Sequence, residues 1–203
     1  MSASPPHPAP PGPPLDLDDR LRALVEGNPG QGSLAEYRAI AGVILARRPC
    51  NLLVFGVGRD SALWIDLNAG GRTAFIEHEP EWIAETRRRL PGAEVIQVRY
   101  RTRARWWRLY LLRPARLWMD DLPPAITATA WDVVFVDSPQ GYRPHTPGRM
   151  KSIYSAARLA AAGADVLVHD TDRRIERVYA DRFLGADALV TEVGKLRGYR
   201  RPR

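Results

Sequence analysis

Gly56 and Gly58, Glu77, Asp137 and the pair His169-Asp170 are the residues of this chain whose types and spacing could do chemistry. Each follows a short apolar run: Leu52-Leu53-Val54-Phe55, Ala74-Phe75-Ile76, Val133-Val134-Phe135-Val136 and Val166-Leu167-Val168. Glycines let a backbone turn tightly and approach a ligand without a Cβ in the way, so Gly56-Val57-Gly58 suits the polar end of a cofactor. Glu77 lies 19 residues beyond Gly58, where a carboxylate at the tip of the next strand could take both hydroxyls of a ribose. Asp137 and Asp170, with His169 or Asp172 beside them, could hold a hard divalent cation such as Mg²⁺ or Mn²⁺ through oxygen ligands. They could equally take a proton from a hydroxyl nucleophile. The plainer readings are a solvent-facing acid for Glu77, a loop cap for Asp137 and a loop-orienting ring for His169.

These groups need strands that all point their carboxyl ends into one crevice. Apolar runs with no polar alternation read as strands buried on both faces, and between them lie helical patterns. Ser33-Leu34-Ala35-Glu36 has capping-box spacing ahead of Tyr37, Ile40, Ala41 and Ile44. Ser61 to Asn68 reads as a helix stopped at Gly70-Gly71. Pro80 to Leu90 has proline at its start and arginines at its end. A helix is expected from Pro147-Gly148-Arg149-Met150 to about Ala162, a strand from Ala164 to Val168, and a helix from about Arg173 to Phe183. The chain should close with a hairpin of Ala188–Val193 and Leu196–Tyr199. Strand and helix in alternation, followed by a hairpin, predict an α/β, Rossmann-like fold with a mainly parallel sheet and an antiparallel C-terminal hairpin.

Composition narrows the class. The 203 residues suffice for one well-buried domain, expected over 15–203, and 45% hydrophobic with 26% charged residues is a globular balance. Residues 1–14 hold seven prolines and are expected to be a disordered tail. No apolar run reaches 18 residues and no secretory signal is legible, so a soluble, cytoplasmic protein with no membrane partner is expected. Cys50 is the single cysteine, which excludes an intramolecular disulfide and reads as a small core residue. A net charge of +7 favours anionic partners, nucleic acid or an acidic sugar among them. Much of it sits in residues 99–122, where seven arginines lie among Tyr100, Trp106, Trp107, Tyr110 and Trp118. Such interleaving suits a polyanion-binding surface, or an amphipathic insertion helix with its tryptophans inward and its arginines outward.

Two functions fit these residues: an enzyme working with an adenosine-type cofactor held by Gly56, Gly58 and Glu77, for instance a nicotinamide-dependent oxidoreductase, and a non-catalytic polyanion-binding module. Ser61 in place of the third glycine of the dinucleotide pattern and the terminal hairpin weigh against the nicotinamide cofactor. Five blocks then carry a more specific resemblance: Phe55 to Ser61, Gly70-Gly71-Arg72-Thr73, Trp131 to Pro139 with Gly141-Tyr142, Pro147-Gly148-Arg149-Met150 with Ile153-Tyr154, and Val168-His169-Asp170. In this order they resemble the plant glucuronoxylan 4-O-methyltransferase family of polysaccharide-biosynthesis proteins, over roughly residues 33–199. The resemblance implies a class I S-adenosylmethionine methyltransferase fold and methylation of a glucuronic acid hydroxyl. It implies Gly56, Gly58, Asp60 and Ser61 around the cofactor's methionine end, Glu77 at its ribose and Asp137 near the transferred methyl. His169 and Asp170 would act at the acceptor, Arg149 and Tyr142 would bind it, and Asp137 with Asp170 would be the pair for any metal. Arg59 stands where the family usually has histidine, and the Arg/Trp-rich stretch is unlike the family's.

Overall fold

The structure, a computed structural model, describes residues 16–202; the proline-rich segment 1–14 lies outside them. Strands β1 (Asn51–Phe55), β2 (Arg72–Glu77), β3 (Glu94–Gln97), β4 (Trp131–Val136), β5 (Ala160–Val168), β6 (Leu189–Val193) and β7 (Leu196–Arg200) form one sheet in the order 3-2-1-4-5-7-6. The first five pair in parallel; β7 runs antiparallel to β5 and β6 antiparallel to β7. The chain order reverses between β1 and β4, where both strands end side by side with Phe55 opposite Val136. That reversal opens a crevice at the carboxyl ends of the strands.

The central strands alternate between two cores. Leu53 and Phe55 of β1, Val134 and Val136 of β4, and Val166 and Val168 of β5 face one core, shared with α7 (Met150–Leu159) and α8 (Arg174–Ala180). Leu52, Val54, Val133, Phe135 and Leu167 face the other, under α1 (Leu17–Gly27), α2 (Leu34–Arg47) and α3 (Ser61–Leu67). Each such side chain stabilises the fold by ~1.5–3 kcal/mol on burial, so uninterrupted apolar runs are what a sheet covered on both faces requires. Cys50 is buried at the start of β1, its Sγ 3.3 Å from Asn68 Oδ1, and burial pushes its thiol up to about 11.

Two expectations require correction. Ala160 to Ala162, good helix formers placed in the preceding helix, belong instead to β5. The helix stops at Leu159, Ala160 pairs with Trp131, and Gly163 takes a left-handed φ of +75° where the register with β4 shifts. Pairing with β4 overrides alanine's helix propensity, and a glycine supplies the bend. The Arg/Trp-rich stretch is not one helix either. A 3₁₀ turn at Ala104–Trp106, α5 (Trp107–Leu112) and a second 3₁₀ turn at Pro114–Leu117 succeed one another. Pro114 has no N–H to continue α5. Trp107, Tyr110 and Trp118 pack on the core as an amphipathic piece should, but Trp106 is 50% exposed.

Candidate active site

Between the ends of β1, β2, β4 and β5 lies a crevice of about 490 Å³ whose walls include Gly56, Gly58, Glu77, Asp137, His169 and Asp170. The glycine turn follows β1 because Gly56 adopts φ +117°, a conformation closed to most side chains. At Gly58 the constraint is space, since a Cβ there would come within 2.7 Å of Asp60 Oδ1. Asp60 itself faces the crevice. Desolvation and then the nearby charge of Asp137 push its carboxyl up to about 6. Ser61 does not reach the crevice: it is 1% exposed, and its Oγ accepts from the Gly58 N–H at 2.9 Å, pinning the turn from behind. Its hydroxyl thereby acts on the turn that carries Gly58. Arg59 Nη1 donates to the Gly27 carbonyl at 2.7 Å, tying the end of α1 to the rim.

Glu77 is buried and well used. Its Oε1 accepts from the His78 and Glu79 backbone N–H groups at 2.5 and 2.9 Å and lies 2.7 Å from His78 Nδ1. Oε2 accepts only from the Val57 N–H, at 3.1 Å, which leaves it room for a further donor from the crevice. Burial opposes the charge, but the bonds from His78, Glu79 and Val57 prevail and hold the carboxyl below its usual value. Its contribution to stability is therefore present above the ordinary glutamate range and is lost as pH falls through the depressed value. Glu77→Gln should cost about 1–3 kcal/mol, because an amide offers these donors one neutral oxygen in place of two charged ones. Denaturant unfolding at neutral pH measures that loss.

Across the crevice Asp137, Arg149, His169 and Asp170 form one network. Arg149, at the N-terminal boundary of α7, is 5% exposed, and its Nη2 lies 3.0 Å from Asp137 Oδ1 and 2.5 Å from Asp170 Oδ2. His169 Nδ1 lies 3.0 Å from the same Asp137 Oδ1. Asp137 Oδ2 is engaged by no described residue. Burial works against the Asp137 charge, but Arg149 and His169 keep its carboxyl below the ordinary range. Burial likewise disfavours a charged His169, yet the Asp137 bond and charge raise the ring above its ordinary value. Asp170 holds φ +62°, a left-handed conformation that aspartate tolerates better than most residues, braced by Arg149 and by Arg173 Nη1 at 2.8 Å.

Ligand atoms of Asp137, His169 and Asp170 lie within 4.8 Å of one another, close enough to surround an ion. The expected metal pair is nonetheless already bridged by a guanidinium, whose charge compensates the two carboxylates and repels a cation. With Arg149 in that position the donor set does not fit a divalent metal. Both acid contacts of Arg149 run through Nη2, while its buried Nε and Nη1 have no partner among the described residues, and Arg149 and Tyr142, the latter 59% exposed, both stand on the crevice wall.

Sequence reasoning missed several members of the site. Glu36 was legible only as the capping-box acid, a role it fills, since the Ser33 N–H donates to its Oε2 at 2.6 Å. Its Oε1 also accepts from the Lys195 N–H at 2.5 Å, and Oε2 is 3.7 Å from His169 Nε2. Glu176 of α8 is 1% exposed with both carboxylate oxygens unpartnered; burial raises its pKa, which Arg149 partly offsets. Arg173 and Lys195 line the crevice. The Glu36–Lys195 contact spans 159 positions, so no local pattern announced it.

A seven-stranded sheet with one strand reversed, an acid gripping the end of β2 and an acid at the end of β4 define a class I S-adenosylmethionine-dependent methyltransferase. The fold agrees with that of a TehB-like SAM-dependent methyltransferase from Corynebacterium glutamicum, which it matches with a TM-score of 0.52 at 14% identity over 91% of this chain and 95% of that one. The chain belongs to the family described as IRX15/IRX15L/GXM, which matches residues 35–114 and 108–199. Among its relatives in Arabidopsis thaliana, arabinogalactan O-methyltransferase 2 is 34% identical over 207 residues, covering 90% of this chain and 71% of that protein. Glucuronoxylan 4-O-methyltransferase 3 is 35% identical over 209 residues, 93% of this chain and 70% of that protein. The nicotinamide and non-catalytic readings are not favoured beside these relatives.

Proposed function

We propose that this enzyme methylates a hydroxyl of an anionic sugar, a glucuronic-acid-like acceptor, and does so without a metal. The observation that carries the reading is the buried Asp137–His169–Arg149–Asp170 network facing Glu77 across one crevice. S-adenosylmethionine supplies an electrophilic methyl on a sulfonium. Glu77, through Oε2, would hold the ribose of the cofactor, and Asp60 on the crevice wall would hold its methionine ammonium. The acceptor hydroxyl hydrogen-bonds to the free Oδ2 of Asp137, and its proton ends on the Asp137–His169 pair, which titrates as one unit. Arg149 and Arg173 hold the aspartates in place, and the exposed Lys195 on the crevice wall meets the acceptor's carboxylate. The relatives' names, which include arabinogalactan and glucuronoxylan, support a sugar acceptor.

Incubation with labelled S-adenosylmethionine and paired acceptors tests this. Glucuronic-acid-bearing xylan fragments should accept label, neutral xylan of equal length should not, and exhaustive chelation should leave the rate unchanged. Restoration of a lost rate by Mg²⁺ or Mn²⁺ would return Asp137 and Asp170 to the role of metal ligands.

A further inference from the structure

The segment around α5 is apolar on two opposite sides, and only one of them is used by the fold. Trp107, Tyr110 and Leu111 pack against the core at helical spacing. Trp106, Leu109 and Leu112, three residues apart, point outward and are 50%, 40% and 81% exposed. Single exposed leucines are ordinary, but a stripe of three on one short segment is not. Around the stripe, Arg101, Arg103, Arg105, Arg108, Arg113 and Arg116 are all exposed, and none is within ion-pair distance of an acid among the described residues. The segment is also joined to the crevice wall. The Ala104 and Arg105 N–H groups donate to the Thr146 and Pro144 carbonyls at 2.8 and 2.9 Å, and that loop carries Tyr142.

We propose that the Trp106–Leu109–Leu112 stripe and its arginines form a docking surface for an anionic lipid bilayer. No helix among the described residues is long and apolar enough to cross a membrane, so contact would be at the interface. The chemistry separates this partner from other polyanions. Arginines alone would suit any phosphate or carboxylate polymer, but Leu112, four-fifths exposed, gains nothing from a hydroxyl-rich glycan or a nucleic acid backbone. It gains from the acyl boundary, where a tryptophan also settles and where arginines reach the headgroups. The proposal is independent of the acceptor proposed above.

Co-sedimentation of the full chain with vesicles tests it. Vesicles of equal parts phosphatidylcholine and phosphatidylserine should carry the protein down, pure phosphatidylcholine should not, and added salt should release it. Replacing Arg105, Arg108 and Arg113 by alanine should weaken binding roughly a hundredfold, at about fivefold per arginine. L109E/L112E should abolish binding while thermal stability and S-adenosylhomocysteine affinity stay unchanged, since neither leucine contributes to either core. Undiminished vesicle binding by L109E/L112E, or none by the unaltered chain, would overturn the proposal. So would equally tight binding of polygalacturonate or single-stranded RNA that ignores the two leucines.

Discussion

Arg149→Met should be the most damaging single substitution in the crevice, lowering methyl transfer roughly 10²–10³-fold and stability by about 3–5 kcal/mol. The side chain is buried, and its Nη2 contacts two carboxylates at once. Removing it leaves Asp137 with His169 alone, Asp170 with Arg173 and, at 3.7 Å, His169, and Glu176 without one of the two arginines that favour its ionised form. Arg149→Lys keeps the charge on a shorter side chain that does not carry it to the same position as Nη2, and should fall between. The loss should also depend on pH in a stated direction. Asp137 has a depressed pKa in the folded protein, so its stabilisation is present above the unfolded aspartate value of about 3.9 and fades as pH falls through the folded one. Wild type and Arg149→Met should therefore converge in stability on acidification. A denaturation series across that range checks the sign, and parallel curves would show that Arg149 acts through packing alone.

His169→Asn should lower kcat about 10²–10⁴-fold with little change in S-adenosylhomocysteine affinity, because the Glu77 half of the crevice is untouched. Since Asp137 and His169 share one hydrogen bond, the double variant with Asp137→Asn should be scarcely worse than the poorer single. The pH dependence runs opposite ways for rate and stability. The ring's raised pKa means that the proton-accepting form accumulates above the ordinary histidine value, so the rate should climb through that region. The same raised pKa stabilises the fold fully below the unfolded value of about 6.5, and the contribution is lost as pH rises through the folded one. A rate profile that is flat there, or a single variant retaining full kcat, would remove the Asp137–His169 pair from the reaction.

What the sequence disclosed and what it hid divide along a physical line. Strands β1, β2 and β4 were legible because burial on both faces demands continuous apolar runs, and their polar tips could be read directly from the residues that follow. Ala160 to Gly163 could not be placed, because the local preference of alanine is for helix while the deciding contact, Trp131, is 29 residues away. Arg149 illustrates the same limit in the site. Its position among the motifs was clear, but its bridging of two acids depends on how β4, β5 and α7 come together. Ser61 shows a related limit: a hydroxyl beside a glycine turn is legible, but that it accepts from the Gly58 N–H is not.

Glu36 ties together parts of the chain that are made at very different times. Its carboxylate receives the Lys195 N–H across 159 positions, and the Lys195 carbonyl in turn accepts from the N–H and hydroxyl of Thr171, next to Asp170. On a ribosome the glycine turn and Glu77 emerge long before the tip of the last hairpin. The Glu36–Lys195–Thr171 contacts are therefore loop closures made late, after the central strands have been synthesised, and they should be among the slower contacts to form on folding.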